Sequence, residues 1–444
     1  GMLTLVLAGI VGCSPTPTER LRSPAMNELP IQFGDSLAIH SNWSLIGSPE
    51  YSSVGAGRGG VFFFQLNQTS NSYNWGYHQF VEASDASNND KFGTAVVVGE
   101  IWAAVGSPGH GKGAVYTYLY NGSETAWNFN SKLVASNPVN NDAFGTPLVM
   151  ESNWLAIGAL GRDDNGNGCG GVYMFELSGG NWTERSLLLA ADGAASDDFG
   201  TSIALSGEWV AIGATGDDDN GGASGSAYMF KNTGSWTQYA KLTASNGAAS
   251  DSFGASIALF EDALTIGAPN KNTVGANSGS IYIFTLALGT TWTESYIRGA
   301  PGGAAGDTFG KTAASNGHWL VSCGPLDVDA LSATGVCFAY HKSGGTWANY
   351  YKLTPASNAS VDSFGSSVTV QDDLLLVGSQ AYSGSAGAVY AFSLKCGNNI
   401  TEGSFEETCD DGNILAGDGC SAGCSVESGY SCVGAPSVCS VSCG

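Results

Sequence analysis

The chain has 444 residues and a net charge of −23, with 43% hydrophobic and only 12% charged residues, enough for several ordinary domains or one large repeat domain. The missing basic footprint excludes nucleic acid and argues against anionic membranes as partners. Sixty-four glycines and an 11% aromatic share suit many short strands joined by tight turns.

Residues 1–15 form an apolar segment and linker. Leu3–Val11 is too short to span a bilayer. Ile10-Val-Gly-Cys13 fits a bacterial lipobox, which would make Cys13 a lipidated anchor, yet no Lys or Arg precedes it as a signal peptide requires. The stretch reads as a clipped signal peptide or as a β-branched strand tethered by Ser14–Pro17, free to pair in cis or with another chain. The strand is the reading adopted.

From residue 16 to 395 the chain repeats. A Phe-Gly pair recurs at Phe33, Phe92, Phe144, Phe199, Phe253, Phe309 and Phe364, at intervals of 52 to 59 residues. Thirteen residues after each Gly stands a second marker: Gly47, Gly106, Gly158, Gly213, Gly267, Cys323 and Gly378. A third run follows, as in Gly225-Ser-Ala-Tyr-Met-Phe. A Trp then opens a fourth at Trp75, Trp127, Trp182, Trp236, Trp292 and Trp347, each 17 residues before the next Phe. Four β-branched and aromatic runs per unit, separated by Gly, Asn, Asp and Ser, predict four short antiparallel strands. Radial repetition of such units makes a β-propeller; a linear β-solenoid is the alternative. The fold class is therefore all-β: a seven-bladed propeller of four-stranded blades, followed by a small disulfide-rich module.

Repeat seven supplies three strands and then stops at Cys396. Counting 17 residues back from Phe33 places an orphan fourth strand at Thr16–Pro24, covering about Thr18 to Ser23 and antiparallel to Gly387–Leu394. It closes the ring and removes both sheet edges. The rival is that Leu3–Val11 fills blade seven.

These signatures, with an Asp two residues before each Phe (Asp90, Asp142, Asp197, Asp251, Asp307, Asp362), resemble the FG-GAP repeats of integrin α-subunit propellers. The resemblance spans residues 16–395. It departs at Ile31, which replaces the Asp, and at Cys323, which replaces the Gly.

The eleven tryptophans all occupy repeat positions, which predicts packing between blades rather than ligand stacking. The periodic Asp residues suit Asx-type turns. Asp163, Asn165 and Asn167 alternate as the oxygen ligands of a calcium loop do, and Asp217, Asp219 and Asn220 offer a second set. The resemblance to integrin propellers implies calcium as the cofactor there. The acidic ligand expected at the end of the first loop is missing, since Gly171 stands in its place; a polar turn is the alternative. Cys323 and Cys337 flank one hairpin and predict a cross-strand disulfide. Six sequons, Asn42, Asn67, Asn121, Asn181, Asn358 and Asn399, permit N-glycosylation. The five histidines show no metal-ligand spacing, and no catalytic motif is present.

Residues 396–444 concentrate cysteines: Cys396, Cys409, Cys420, Cys424, Cys432 and Cys439, enough for three disulfides in one of 15 connectivities. The run around Cys409-Asp-Asp-Gly-Asn413 and Gly417-Asp-Gly-Cys420-Ser is similar to a cysteine-rich repeat of myxobacterial and protist surface proteins. Cys443-Gly444 repeats the Cys396-Gly397 opening, as a further copy would.

The expectation is a non-catalytic protein of the cell exterior or surface. It adheres or scaffolds by binding an extracellular protein or glycan through one propeller face. The alternatives are a subunit of an extracellular filament, self-assembled through terminal strands or the cysteine module, and the scaffold part of a secreted hydrolase. Sedimentation of the purified chain separates the first two.

Overall fold

The computed structural model describes residues 17, 19–24, 31–52, 55–69, 72–139, 141–287, 289–329, 332–343, 346–355, 362–394, 409, 426, 430–433 and 437–441. The second strands show best why the repeat folds as it does. Runs such as Trp209–Ala214 are buried along their whole length, because each lies sandwiched between neighbouring blades. The fourth strands instead alternate between buried and exposed positions, as in Trp236–Leu242, because each forms the outer edge of its sheet.

Blade one is Leu37–His40, Trp43–Ser48, Gly60–Thr69 and Ser72–Val81. Blade two is Ala95–Val98, Trp102–Ser107, Ala114–Asn121 and Ala126–Leu133. Blade three is Leu148–Glu151, Trp154–Ala159, Gly171–Ser178 and Asn181–Leu188. Blade four is Phe199–Ser206, Trp209–Ala214, Ser226–Asn232 and Trp236–Leu242. Blade five is Ser256–Phe260, Ala263–Ala268, Ser280–Ala287 and Thr291–Arg298. Blade six is Thr312–Ser315, Trp319–Gly324, Val336–Ser343 and Thr346–Leu353. Blade seven takes Phe364–Gln371, Leu374–Ser379 and Ala388–Ser393 from the end of the array.

Its fourth strand is Glu19–Leu21, antiparallel to Ala391–Val389, where the 17-residue phase placed it. Arg20 and Arg22 both donate to the Tyr382 hydroxyl, at 2.9 and 3.0 Å. Leu21 is buried with Ile31, Phe33 and Val389, so blades seven and one share one apolar cluster. The other core clusters are likewise each shared by two consecutive blades. Leu3–Val11, Cys13, Asn358, Asn399, Cys396, Cys420 and Cys424 lie outside the described residues.

The Phe-Gly pair is the joint between blades. Phe92, Phe144, Phe199, Phe253 and Phe309 each bridge in parallel to the Gly that opens the preceding blade's third strand, and Phe33 bridges to Gly387. Five of the seven Phe-Gly glycines also accept, at their carbonyl, a hydroxyl from the preceding blade: Ser36, Ser202, Ser256, Thr312 and Ser367 donate at 2.6 to 2.8 Å. The Asp two residues before five of the pairs closes a local turn, but its bond runs backward along the chain and not forward as in an Asx turn. Asp90, Asp142, Asp197, Asp251 and Asp307 accept from the backbone N–H three residues earlier, at 2.5 to 2.8 Å. The tryptophans pack between blades as expected. Trp127, Trp182, Trp236 and Trp292 each stand edge-on to the second-strand Trp of the preceding blade, with centroids 5.4 to 5.9 Å apart.

Cys323 and Cys337 are direct cross-strand partners and form a disulfide. At the equivalent Gly in blades one, two, four, five and seven, a Cβ would meet the next Phe-Gly glycine's carbonyl at 1.9 to 2.2 Å. In blade six the disulfide takes that space. Replacing both cysteines by serine is expected to cost about 3 kcal/mol in the chain-entropy model. Denaturant unfolding reads this directly, and an unchanged midpoint would show that the strand ladder alone holds the hairpin. In the C-terminal module Tyr430–Val433 pairs with Val438–Val441, and Cys432 is bonded to Cys439. Cys409 is also disulfide-bonded.

Candidate functional site

The blade topology separates two faces. Turns between first and second strands, and between third and fourth, lie on one, here the turn face. The loops between second and third strands and the linkers between blades lie on the other, the loop face. The first strands of consecutive blades neighbour one another around the axis. A cavity of about 490 Å³ opens at the loop-face mouth of this channel. It is lined by Thr201, Thr215, Asn270, Thr308, Lys311 and Gln380, with Pro269, Pro325 and Leu326 supplying apolar surface. These are the residues beside the Phe-Gly pairs and just after the second strands, so the same repeat that joins the blades places hydroxyls around the mouth. Lys311 is exposed.

Asp35 holds the Lys311 position in blade one. Burial, followed by the nearby Glu50 charge, raises its pKa to about 6 despite Lys91. A carboxyl with a raised folded pKa stabilises the fold when protonated, and that contribution fades as pH climbs from the unfolded value, about 4, to the folded one. Asp35→Asn is therefore expected to melt above wild type at pH 7, with the gap closing near pH 4. Melting curves across that range check the sign, and a constant gap would reject the assignment.

The acidic loops lie on the loop face around this mouth. In blade three the expected ligand residues take part in the loop's own hydrogen bonds. Asp163 Oδ1 accepts from the Gly168 N–H at 2.8 Å, and Asn165 Nδ2 donates to the Ala190 carbonyl at 3.2 Å. The Asn167 carbonyl accepts from Ser196 at 2.9 Å. Cys169, a buried free thiol, donates to the Arg162 carbonyl as Ser224 and Ser278 do to Asp217 and Lys271 in the next two blades.

A side-chain cation stands inside. Arg162 is buried and donates to Asp164 Oδ2 (2.7 and 2.5 Å), the Asn137 carbonyl (2.8 Å), Asp142 Oδ2 (3.2 Å) and the Tyr173 hydroxyl (2.9 Å). Burial pushes the Tyr173 hydroxyl up to about 12, against the pull of Arg162.

In blade four Asp217 and Asp219 do come together, joined by Asp192 from the linker, and the three carboxylates lie within 4.8 Å of one another. The Lys241 ammonium stands among them, at 2.8 Å from Asp192, 2.7 Å from Asp217 and 2.6 Å from Asp219. Burial opposes the Lys241 charge, but the hydrogen bonds to Asp192, Asp217 and Asp219 outweigh it, and its pKa is raised. Burial likewise opposes the Asp217 charge, but hydrogen bonds from Lys241, Tyr228 and Ser226 leave its pKa lowered. The third residue of the expected set, Asn220, uses its N–H on Ser224 Oγ at 3.2 Å.

Blades two and five repeat the theme. Lys271 pairs with Asp251 at 2.8 Å and donates to the Asn246 carbonyl, while Tyr282 donates to Asn246 Oδ1. In blade two Lys132 pairs with Asp85 at 2.6 Å, and its hydrogen bond, with that of Tyr116, lowers the Asp85 pKa to about 2. His110 faces Asp90 at 2.7 Å through Nδ1, but its Nε2 meets the Lys132 ammonium at 2.7 Å, where a nucleophile would have to stand. His78 bonds the Thr125 carbonyl, and His341 meets Trp319 edge-on.

The acceptor residues of the described sequons gather on the turn face. Asn42 lies in a first turn, and Asn67, Asn121 and Asn181 stand at the ends of third or fourth strands. Asn42, Asn67 and Asn181 are exposed and Asn121 is half-exposed.

Among known families, the FG-GAP repeat matches residues 127–175, 182–230, 236–284 and 347–392. Each window opens on a fourth-strand Trp and ends in the next blade's third strand. No curated protein matches the chain. Among solved structures it is similar to Sqt1 of Saccharomyces cerevisiae, at 10% identity and a TM-score of 0.48, over 86% of this chain and 99% of that one.

Proposed function

From a seven-bladed propeller that carries FG-GAP repeats in four places, we propose a non-catalytic adhesion or scaffold protein of the cell exterior, which binds an extracellular protein or glycan through its loop face. The observation that carries this reading is the cavity at the channel mouth, where hydroxyls, amides and the exposed Lys311 converge on a surface that Pro269, Pro325 and Leu326 make largely apolar. The sequons support it, because glycans at Asn42, Asn67, Asn121 and Asn181 would leave the loop face clear. The disulfides Cys323–Cys337 and Cys432–Cys439 suit an oxidising compartment. No helix among the described residues is long and apolar enough to cross a membrane.

The test uses the full chain on arrays of glycans and of extracellular domains. Lys311→Glu combined with Leu326→Asp is expected to weaken binding about tenfold or more, while Asn67→Gln and Asn181→Gln keep it. Binding that survives the loop-face pair and is lost with turn-face changes would overturn the reading.

A further inference from the structure

We propose that the blade-four loop, which the family resemblance would load with calcium, already holds its cation: the Lys241 ammonium fills a three-carboxylate cage. Two positions in each blade carry the argument. One lies four residues after the second-strand marker; the other is the fourth-strand partner of the third-strand Tyr or Phe. In blade four they are Asp217 and Lys241, the latter paired in register with Tyr228. In blade three they are Arg162 and Leu187, the latter paired with Tyr173. In blade five they are Lys271 and Ile297, opposite Tyr282. In blade two they are His110 and Lys132, opposite Tyr116.

Where the loop supplies the cation, the fourth strand is apolar. Where the loop supplies an Asp or a His, the fourth strand supplies the lysine. Blade one omits the charge altogether. Its pair is Tyr51 and Phe80, with ring centroids 4.8 Å apart, and there Ile31 replaces the Asp that would need a partner. In blade one the missing cation and the missing Asp thus go together. A divalent ion in blade four would have to displace an ammonium already within 2.8 Å of all three carboxylates. Removing that ammonium leaves three converging carboxylates, a donor set that suits a hard cation.

The experiment compares full-length wild type with Lys241→Ala, in EDTA and in millimolar calcium, by thermal melting and by terbium emission excited through Tyr228. Wild type is expected to melt alike in both. Lys241→Ala is expected to melt several degrees lower in EDTA and to recover most of the loss as calcium saturates, since a ligand of the folded state raises its melting temperature. It should also gain terbium emission that Asp217→Asn, added to it, abolishes. A wild-type protein stabilised by calcium through Asp217 overturns the proposal, and so does a Lys241→Ala protein that calcium does not rescue. Should Lys241→Ala fail to fold in either condition, adding Asp192→Asn and Asp219→Asn removes the uncompensated charge and is expected to restore folding. Failure of that variant also overturns it.

Discussion

Gly225→Ala is expected to lower stability by about 3 kcal/mol or more, a large loss for one methyl group. Gly225 has φ +81°, where a side chain is strained, and a Cβ there would lie 2.0 Å from the Phe253 carbonyl oxygen of the next blade. The clash is with backbone, so no rotamer change relieves it. The blades must separate, and the Gly225–Phe253 bridge and the Phe253 N–H bond to Ser224 go with the contact. Gly222→Ala, in the same loop with open space around it, is the control. It should change stability by less than about 1 kcal/mol. Equal denaturation midpoints for the two variants would show that the blades are not joined at this point.

Loss of the closing strand is the second large effect. Leu21 is buried in the cluster that joins blade seven to blade one, and Leu21→Ala is expected to cost about 2 to 5 kcal/mol. A chain starting at residue 25 would do worse. Ala388–Ser393 would become an exposed edge, and blade one would lose the bond from the Trp75 N–H to the Glu19 carboxylate. An uncovered edge pairs with other chains, so this truncation should sediment as oligomers or aggregate. A chain starting at residue 13 keeps the strand and should melt as the full chain does. If the shorter deletion collapsed the melt instead, the ring would be closed by the first twelve residues.

Most of the fold was readable because one unit recurs in constant phase. Seven Phe-Gly pairs located the blades, and the 17-residue offset located Glu19–Leu21 although that strand looks unremarkable in isolation. The burial of the tryptophans also followed from phase, as did a turn at the periodic Asp, though its bond runs to the residue three before and not to one after. What the residues did not reveal was the partner of each charge. Asp163, Asn165 and Asn167 alternate as ligands do, but alternation says nothing about which oxygens the loop spends on its own N–H groups. Asp217 and Lys241 lie on different elements and meet only through strand register. A signal for them did exist: with the repeats stacked, the loop position and the fourth-strand position never both carry an acid, and in every blade but the first one of the two is a Lys or Arg. The joint at Gly225 was hidden for another reason, since it is made of backbone and leaves only a glycine as its trace.

That division between seam and interior makes the blades exchangeable parts. Contacts across a seam rely on carbonyls, amides and small hydroxyls that nearly every repeat presents alike, so any blade can abut any other. The Lys241 cage, by contrast, is closed inside blade four, in a segment that begins before Asp192 and ends after Lys241. A gene segment cut at those limits carries the Lys241 cage whole. Duplication, loss or transplantation of such a segment changes the circumference of the ring without dividing the cage, whereas a cut between Asp217 and Lys241 would part the ammonium from its carboxylates.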